Sequence, residues 1–445
     1  MNMPDSQESQ APEGETQQAI PLTTPAKKGT GRALSSLKQR NYRLYLFGQM
    51  ISLPGITMQN IGQAWLVLVL THSPWQLGLV GALQALPILL FSIFGGIIAD
   101  RWPKRRVLLL SQTAAAIQAF LLWALIAAGT LQLWQLYILV LLLGFTNSLG
   151  RPASRAIIVE MVGHEDLPNA IGLLSTLSTL GRIASPALAG IIIASSGVTS
   201  LFLINALSFV PMIAVLVLIR SHEMHTQGHL PGNSSRSQNP WQSLREGLDY
   251  IWQMPSVFLL ILSVGLVLLF GSNFNVVLPL FATDILHQGA RGFGFLSAAT
   301  GAGALIAALW VAWGNRHSTI RQILIGMLIF GVLEVAFGIS KIYIVSLLLL
   351  TGVGFMEETF AMQAMTTLQS ATPGHLNGRV MSIQVIFFDG SLPLGYLLMG
   401  WLAGLYGAST ALLVGALLSL LVVAASWIWW KQIGNRESDS DMTGI

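Results

Sequence analysis

Long apolar runs follow one another along most of the chain, separated by short polar turns. A bilayer core of about 30 Å takes about 20 apolar residues in a helix. By that measure twelve spans fall near 42–70, 75–99, 106–128, 133–152, 169–196, 199–219, 256–282, 291–313, 321–339, 342–366, 379–403 and 407–430. No run shows the ten-residue alternation of an outer-membrane barrel strand. The pattern therefore predicts an all-α membrane protein of 12 transmembrane helices. The first and tenth spans are long, and Pro54-Gly55 and the pair Gly352 and Gly354 predict interruptions in them.

Composition agrees with the pattern. The chain is 53% hydrophobic and only 9% charged, against about 25% charged in a soluble domain. Its apolar surface must meet lipid. The 23 Lys and Arg sit in small groups between apolar runs and form no stripe suited to nucleic acid. Cysteine is absent, which excludes disulfides, thiolate metal sites and Cys nucleophiles.

The distribution of bases sets the expected topology. With twelve spans, 20 of the 23 fall on the side that holds both termini, and only Arg291 and Lys341 on the other; Arg182 lies within a span. Cytoplasmic loops carry such an excess, so both termini are expected in the cytoplasm. Residues 1–33 are polar, lack a signal-peptide core and read as a disordered cytoplasmic tail. Residues 34–220 form a first six-helix half and 256–431 a second, with a cytoplasmic linker at 221–255 and a tail at 432–445. Within the linker, WQSLREGLDYIWQMP places Trp241, Leu244, Leu248, Ile251 and Trp252 near one face, as in a helix lying on a membrane surface. The linker also holds His222, His225 and His229. Their spacing could suit a metal, but a solvated loop is the simpler reading, and no metal is expected.

The halves echo each other. Asp100-Arg101 with Arg106 after span two is matched by Asn315-Arg316 with Arg321 after span eight. Arg182 precedes Pro186 in span five as Asp389 precedes Pro393 in span eleven. Parallel six-helix repeats are a transporter architecture. The loop GGIIADRWPKRRVLL resembles the major facilitator superfamily signature at Gly96, Asp100, Arg101, Arg105 and Arg106, with Pro103 in place of the usual glycine. The stretches SLKQRNYRLYLFGQ, HEDLPNAIGLLSTLSTLGRIASPALAG, SLREGLDYIW and ATPGHLNGRVMSIQVIFFDGSLPLGYLLMGWL widen the likeness over about residues 34–431. They resemble the branch of enterobactin exporters and macrolide efflux proteins. In span five, Gly181, Ser185, Pro186 and Gly190 resemble the antiporter motif, with Ser185 and Ala189 where two glycines usually stand.

The resemblance implies two six-helix halves and a cytoplasmic gate at Asp100 and Arg101. The bases Lys104 and Arg105 could equally serve as topological anchors. Ionisable groups inside spans are costly and usually face a cavity or a partner; here they are Arg182, Glu334, Glu357, Glu358 and Asp389. Glu357, Glu358 and Asp389 are the candidates for proton coupling, with Arg182 as an intramembrane partner. Glu334, in a peripheral span, reads as structural. Candidates for the substrate cavity are Gln59, Asn60, Gln63, Asn147, Asn273, Phe274 and Gln363, with Asn275, Phe355, Met356 and Met362 beside them. The acids favour a cationic or neutral amphipathic substrate, while Arg182 leaves room for an anionic one.

No nucleotide-binding, metalloprotease or hydrolase motif is present, so neither an enzyme nor an ATP-driven pump is expected. The expected protein is a monomeric exporter of the cell inner membrane, using a proton gradient and no cofactor. An importer on the same fold, or a non-transporting receptor or scaffold, stays open.

Overall fold

A computed structural model describes residues 35–220, 223–224, 240–313 and 318–443; of residues 92–101, 164, 240–244, 312, 375 and 434–443 it describes the backbone alone. The amino-terminal tail and the three linker histidines lie outside the described residues, as do Asn315 and Arg316.

Helices account for nearly everything described. They are α1 (Arg40–Thr71), α2 (Pro74–Arg101), α3 (Lys104–Ala127), α4 (Leu133–Leu218), α5 (Pro240–Gln253), α6 (Pro255–Gly271), α7 (Phe274–Leu280), α8 (Gly289–Trp313), α9 (Ile320–Ile339), α10 (Tyr343–Ala371), α11 (Gly374–Tyr406) and α12 (Ala408–Thr443). Among the described residues eleven helical segments are long and apolar enough to cross a membrane. One of them, 165–218, bends at Gly197, so the chain crosses twelve times. α4 is three consecutive crossings, separated where the backbone leaves the helical conformation at Gly163 (φ 70°) and Gly197 (φ 80°). That left-handed conformation is open to glycine at little cost.

Two sequence expectations give way. Neither α1 nor α10 is interrupted: Pro54, Gly55, Gly352 and Gly354 all lie within continuous helix. Gly55 and Gly354 are packing positions instead. A Cβ on Gly55 would fall 2.2 Å from Ser208 Oγ, and one on Gly354 2.1 Å from the Thr300 carbonyl oxygen. The span that does break is the seventh, where α6 stops at Gly271, α7 starts at Phe274, and a π-helical turn, Phe281–Ile285, completes the crossing. At the other end of the second half, α12 continues to Thr443, through residues that read as tail.

One apolar cluster lies wholly within α5–α12, built on Val264, Phe330 and Phe360. Two others lie within the first half, around Tyr45 and Met212 and around Ala119 and Phe209. The largest cluster joins both halves through Val67, Phe202, Phe281, Phe293 and Tyr396. Large apolar side chains such as Ile344, Leu348 and Leu421 stand outward, as a lipid-facing surface requires.

The halves meet along two seams, α2 on α11 and α4 on α8. Both seams are glycine-lined. A Cβ on Gly78 would lie 3.0 Å from Gly400 Cα, and one on Gly190 2.9 Å from Gly294 Cα. Small residues let helix backbones approach this closely. By their positions in the helices, these four glycines lie toward the end of the bundle away from the termini.

Candidate functional site

Each half is anchored at its entry by a matching set of polar contacts. In the first, Ser35 Oγ donates to Asp166 Oδ1 (2.6 Å), Ser36 Oγ to Asn169 Oδ1 (2.6 Å), and the Tyr42 hydroxyl to the Ala170 carbonyl (2.7 Å). In the second, Arg379 pairs with Glu246, and the Tyr250 hydroxyl donates to the Ala371 carbonyl (3.0 Å). The polar stretch before span one thus grips the turn before span five. α5, before span seven, grips the turn and helix of span eleven.

Between the halves lies a cavity of about 610 Å³, lined from α1, α2, α3, α4, α7 and α11. Of the sequence candidates, Asn60, Gln63, Asn147, Asn275 and Asp389 line it. Gln84 donates to Asn60 (2.9 Å) and Asn275 donates to the Tyr396 hydroxyl (3.0 Å). Gln63 is almost fully buried, and neither of its amide atoms is hydrogen-bonded.

Arg151 and Arg155 also line this cavity, close enough to Asp389 to bear on its charge. Sequence reading counted these two arginines only as topological charge. The missed signal is their spacing: Asn147, Arg151 and Arg155 recur every four residues, so they share one helix face. Among the described residues, two bases and one acid thus line the cavity.

Gln59, Asn273, Phe274 and Gln363 do not line it. Gln59 donates to Gln118 Oε1 (3.1 Å) and accepts from Asn205, closing a buried amide network inside the first half. Asn273 donates to the Leu269 carbonyl (2.8 Å), so its amide ties up the broken span. Phe274 packs against the apolar clusters, and Gln363 is half-buried.

A second polar group also spans the two halves. Arg182 Nη1 lies 3.4 Å from Glu358 Oε2, an ion pair that links α4 of one half to α10 of the other. The partner of Arg182 is thus Glu358, while Asp389 faces Arg151 and Arg155. Glu357 accepts a hydrogen bond from the Ser272 hydroxyl. Glu334 is completely buried, and neither carboxyl oxygen has a hydrogen-bond partner.

The span-five motif forms part of a seam. A Cβ on Gly294 would fall 2.5 Å from the Pro186 carbonyl oxygen, and one on Gly301 2.6 Å from that of Arg182. Ser185 is fully buried, whereas a Cβ on Gly181 would meet only Ser185.

Gly96, Asp100 and Arg101 lie within the last turns of α2, which runs on to Arg101, and of these residues only the backbone is described. Arg105 donates from Nε to the Leu216 carbonyl (2.6 Å) and from Nη2 to that of Val217 (2.7 Å), capping the carboxyl end of α4 with positive charge. Lys104 pairs with Glu160 (3.3 Å) and Arg106 is exposed.

Residues 31–442 match the family described as transmembrane secretion effector. An enterobactin exporter of Escherichia coli O127:H6 is 27% identical over 394 residues, covering 86% of this chain and 92% of the relative. The enterobactin exporter of Salmonella typhi is 29% identical over 344 residues, covering 76% and 80%. Among solved structures, the nucleoside transporter NupG superposes with a TM-score of 0.69 at 13% identity, over 88% of this chain and 99% of that one. A bacterial homolog of the lysosomal transporter Spinster, inward-facing and occupied, also gives 0.69 at 13% identity, over 88% and 97%. The chain belongs to the transmembrane secretion effector family of the major facilitator superfamily and is a multi-pass membrane transporter.

Proposed function

We propose that the protein is a proton-coupled exporter of amphipathic small molecules, siderophore-like metabolites among them, in the cell inner membrane with both termini cytoplasmic. The observation that carries this reading is the Arg182–Glu358 pair, which joins the two halves beside an acid already held by Ser272. Loss of the charge on either partner leaves the other without its counter-charge. The cross-half contact then weakens, and the halves rock about the central site.

The pair is half-exposed, at 49% for Arg182 and 26% for Glu358. Exposed pairs contribute about 0.2–1 kcal/mol, so this one biases the two states several-fold without locking either. That is what a carrier needs, because an equilibrium shifted by many kcal/mol would stall the cycle. The exporters of similar sequence support outward flux. The bases Arg151 and Arg155, with the unbonded amide of Gln63, suit a neutral or anionic amphipath rich in hydrogen-bonding groups.

The test is efflux from proteoliposomes with an imposed pH gradient, using enterobactin and a panel of amphipathic dyes. Gradient-driven movement that an uncoupler abolishes is expected. Equal rates with and without the gradient would overturn proton coupling, and binding without movement would favour a receptor.

A further inference from the structure

The two halves bring opposite charge to the central cavity. Arg151 and Arg155 line it from α4, and Asp389 lines it from α11. Among the described lining residues these three are the only charged ones. All three are exposed, and among the described residues none of their side chains makes a hydrogen bond or an ion pair. The carboxylate therefore lies beyond ion-pair distance of both guanidinium groups. The arginine face is fixed in place. Ser154, between the two bases, shares a 2.5 Å hydrogen bond with the Tyr45 hydroxyl, and Gln49 donates to the same hydroxyl (2.7 Å). Tyr45 is fully buried, so these bonds hold that face of α4 against α1.

Each wall offers one kind of hydrogen-bonding group. Four residues apart on a helix, Arg151 and Arg155 stand about 6 Å apart along the axis, so their long side chains can reach one anionic group together. Guanidinium groups only donate, and they suit a carboxylate, sulfonate or phosphate. The opposite wall only accepts. Pro393 lies four residues after Asp389 in α11 and has no N–H, so the Asp389 carbonyl loses its helical donor. Carboxylate and carbonyl of one residue are thus both open to a donor, which an ammonium group supplies. A ligand with an anion alone would satisfy the arginines and meet the repulsion of Asp389. One with a cation alone would satisfy Asp389 and meet two bases. Both walls are satisfied only by a ligand that carries both charges. The amide of Gln63, unbonded at both atoms, and the unbonded Gln112 Oε1 take its uncharged polar groups.

We propose that the cavity takes a zwitterionic amphipath, whose anionic group binds Arg151 and Arg155 and whose ammonium group binds Asp389. The proposal deepens the exporter reading by naming the class of molecule carried, and it rests on that reading for the ligand's role as cargo. Bound in this way, the ligand ties α4 of the first half to α11 of the second, a bridge that neither charge builds alone.

The experiment reads binding without transport, on full-length protein purified in a nonionic detergent. Three probes share a fluorophore and a chain of similar length. Nε-dansyl-lysine carries both charges, dansyl-aminohexanoate the anion alone and dansylcadaverine the cation alone. Dansyl fluorescence at neutral pH should show the wild type binding the zwitterion about tenfold tighter than either other probe. Asp389→Asn should bring the zwitterion down to the affinity of the anion probe, and leave the anion probe bound as tightly or more so. Arg151→Gln combined with Arg155→Gln should weaken the zwitterion and the anion about tenfold and spare the cation. An anion held by the wild type as tightly as the zwitterion would overturn the proposal and leave a plain anion site. A cation held as tightly, or no binding of any of the three, would overturn it as well. The comparison within the wild type stands even where a variant fails to fold. Failure of gradient-driven efflux in the wild type would sink the exporter reading alone, because binding is measured without it.

Discussion

Arg182 and Glu358 form an ion pair between the two halves. Glu358→Gln should fold, bind substrate and lose gradient-driven efflux by tenfold or more, measured in proteoliposomes. Exchanging the charges, Arg182→Glu with Glu358→Arg, should recover part of the contact between the halves. That contact can be read as the rate of disulfide crosslinking between cysteines placed on α4 and α10. Arg151→Gln and Arg155→Gln should each raise the KM for an anionic substrate about tenfold, the equivalent of about 1.4 kcal/mol, with less effect on a neutral one. Gln63→Leu should raise KM for both, since the amide it removes is unbonded in the cavity. The acids and Arg182 were legible in the sequence because a charge inside an apolar run is conspicuous. Arg151 and Arg155 were not, because they sit at the end of a run, where a base has a topological explanation already. Gln59 illustrates the opposite error: a polar residue in span one reads as cavity-lining, yet its partners Gln118 and Asn205 lie elsewhere in the chain.

At the scale of elements, apolar length told nearly everything about where helices lie and little about where they bend. Eleven of the twelve spans form continuous helix, the fourth and twelfth running more than ten residues past the ends read from hydropathy, and the break fell at Gly271-Ser272-Asn273. The sequence pointed to other glycines, because in a membrane helix glycine serves close packing as often as bending. Gly303 is the sharpest case, since a Cβ there would fall 1.9 Å from the Thr351 carbonyl oxygen. Gly303→Ala should therefore force α8 and α10 apart and cost about 1–3 kcal/mol, seen as a lower unfolding temperature in detergent. The matching contacts before spans one and seven give a further expectation. Glu246→Ala should free α5 from α11 and raise the accessibility of cysteines placed on α11 near Arg379. It should leave the first half, held by its own Ser35, Ser36 and Tyr42 contacts, unchanged.

For the molecule as a whole, the cavity, the cross-half pair and the two seams describe one state, sealed at the end away from the termini. Rocking predicts that spin-label distances across that end lengthen while those across the terminal end shorten, in the same pH interval. Distances that change at only one end would contradict rigid rocking. The seams carry a consequence for how such a protein can vary. Where two bulky side chains meet, enlargement of one can be offset by trimming the other. Gly190 against Gly294 and Gly78 against Gly400 leave no such route, since neither partner has a side chain to surrender. Any added atom there pries the halves apart, and no second substitution across the seam can take it back. Across related sequences these four positions should thus be invariant individually rather than covarying as pairs.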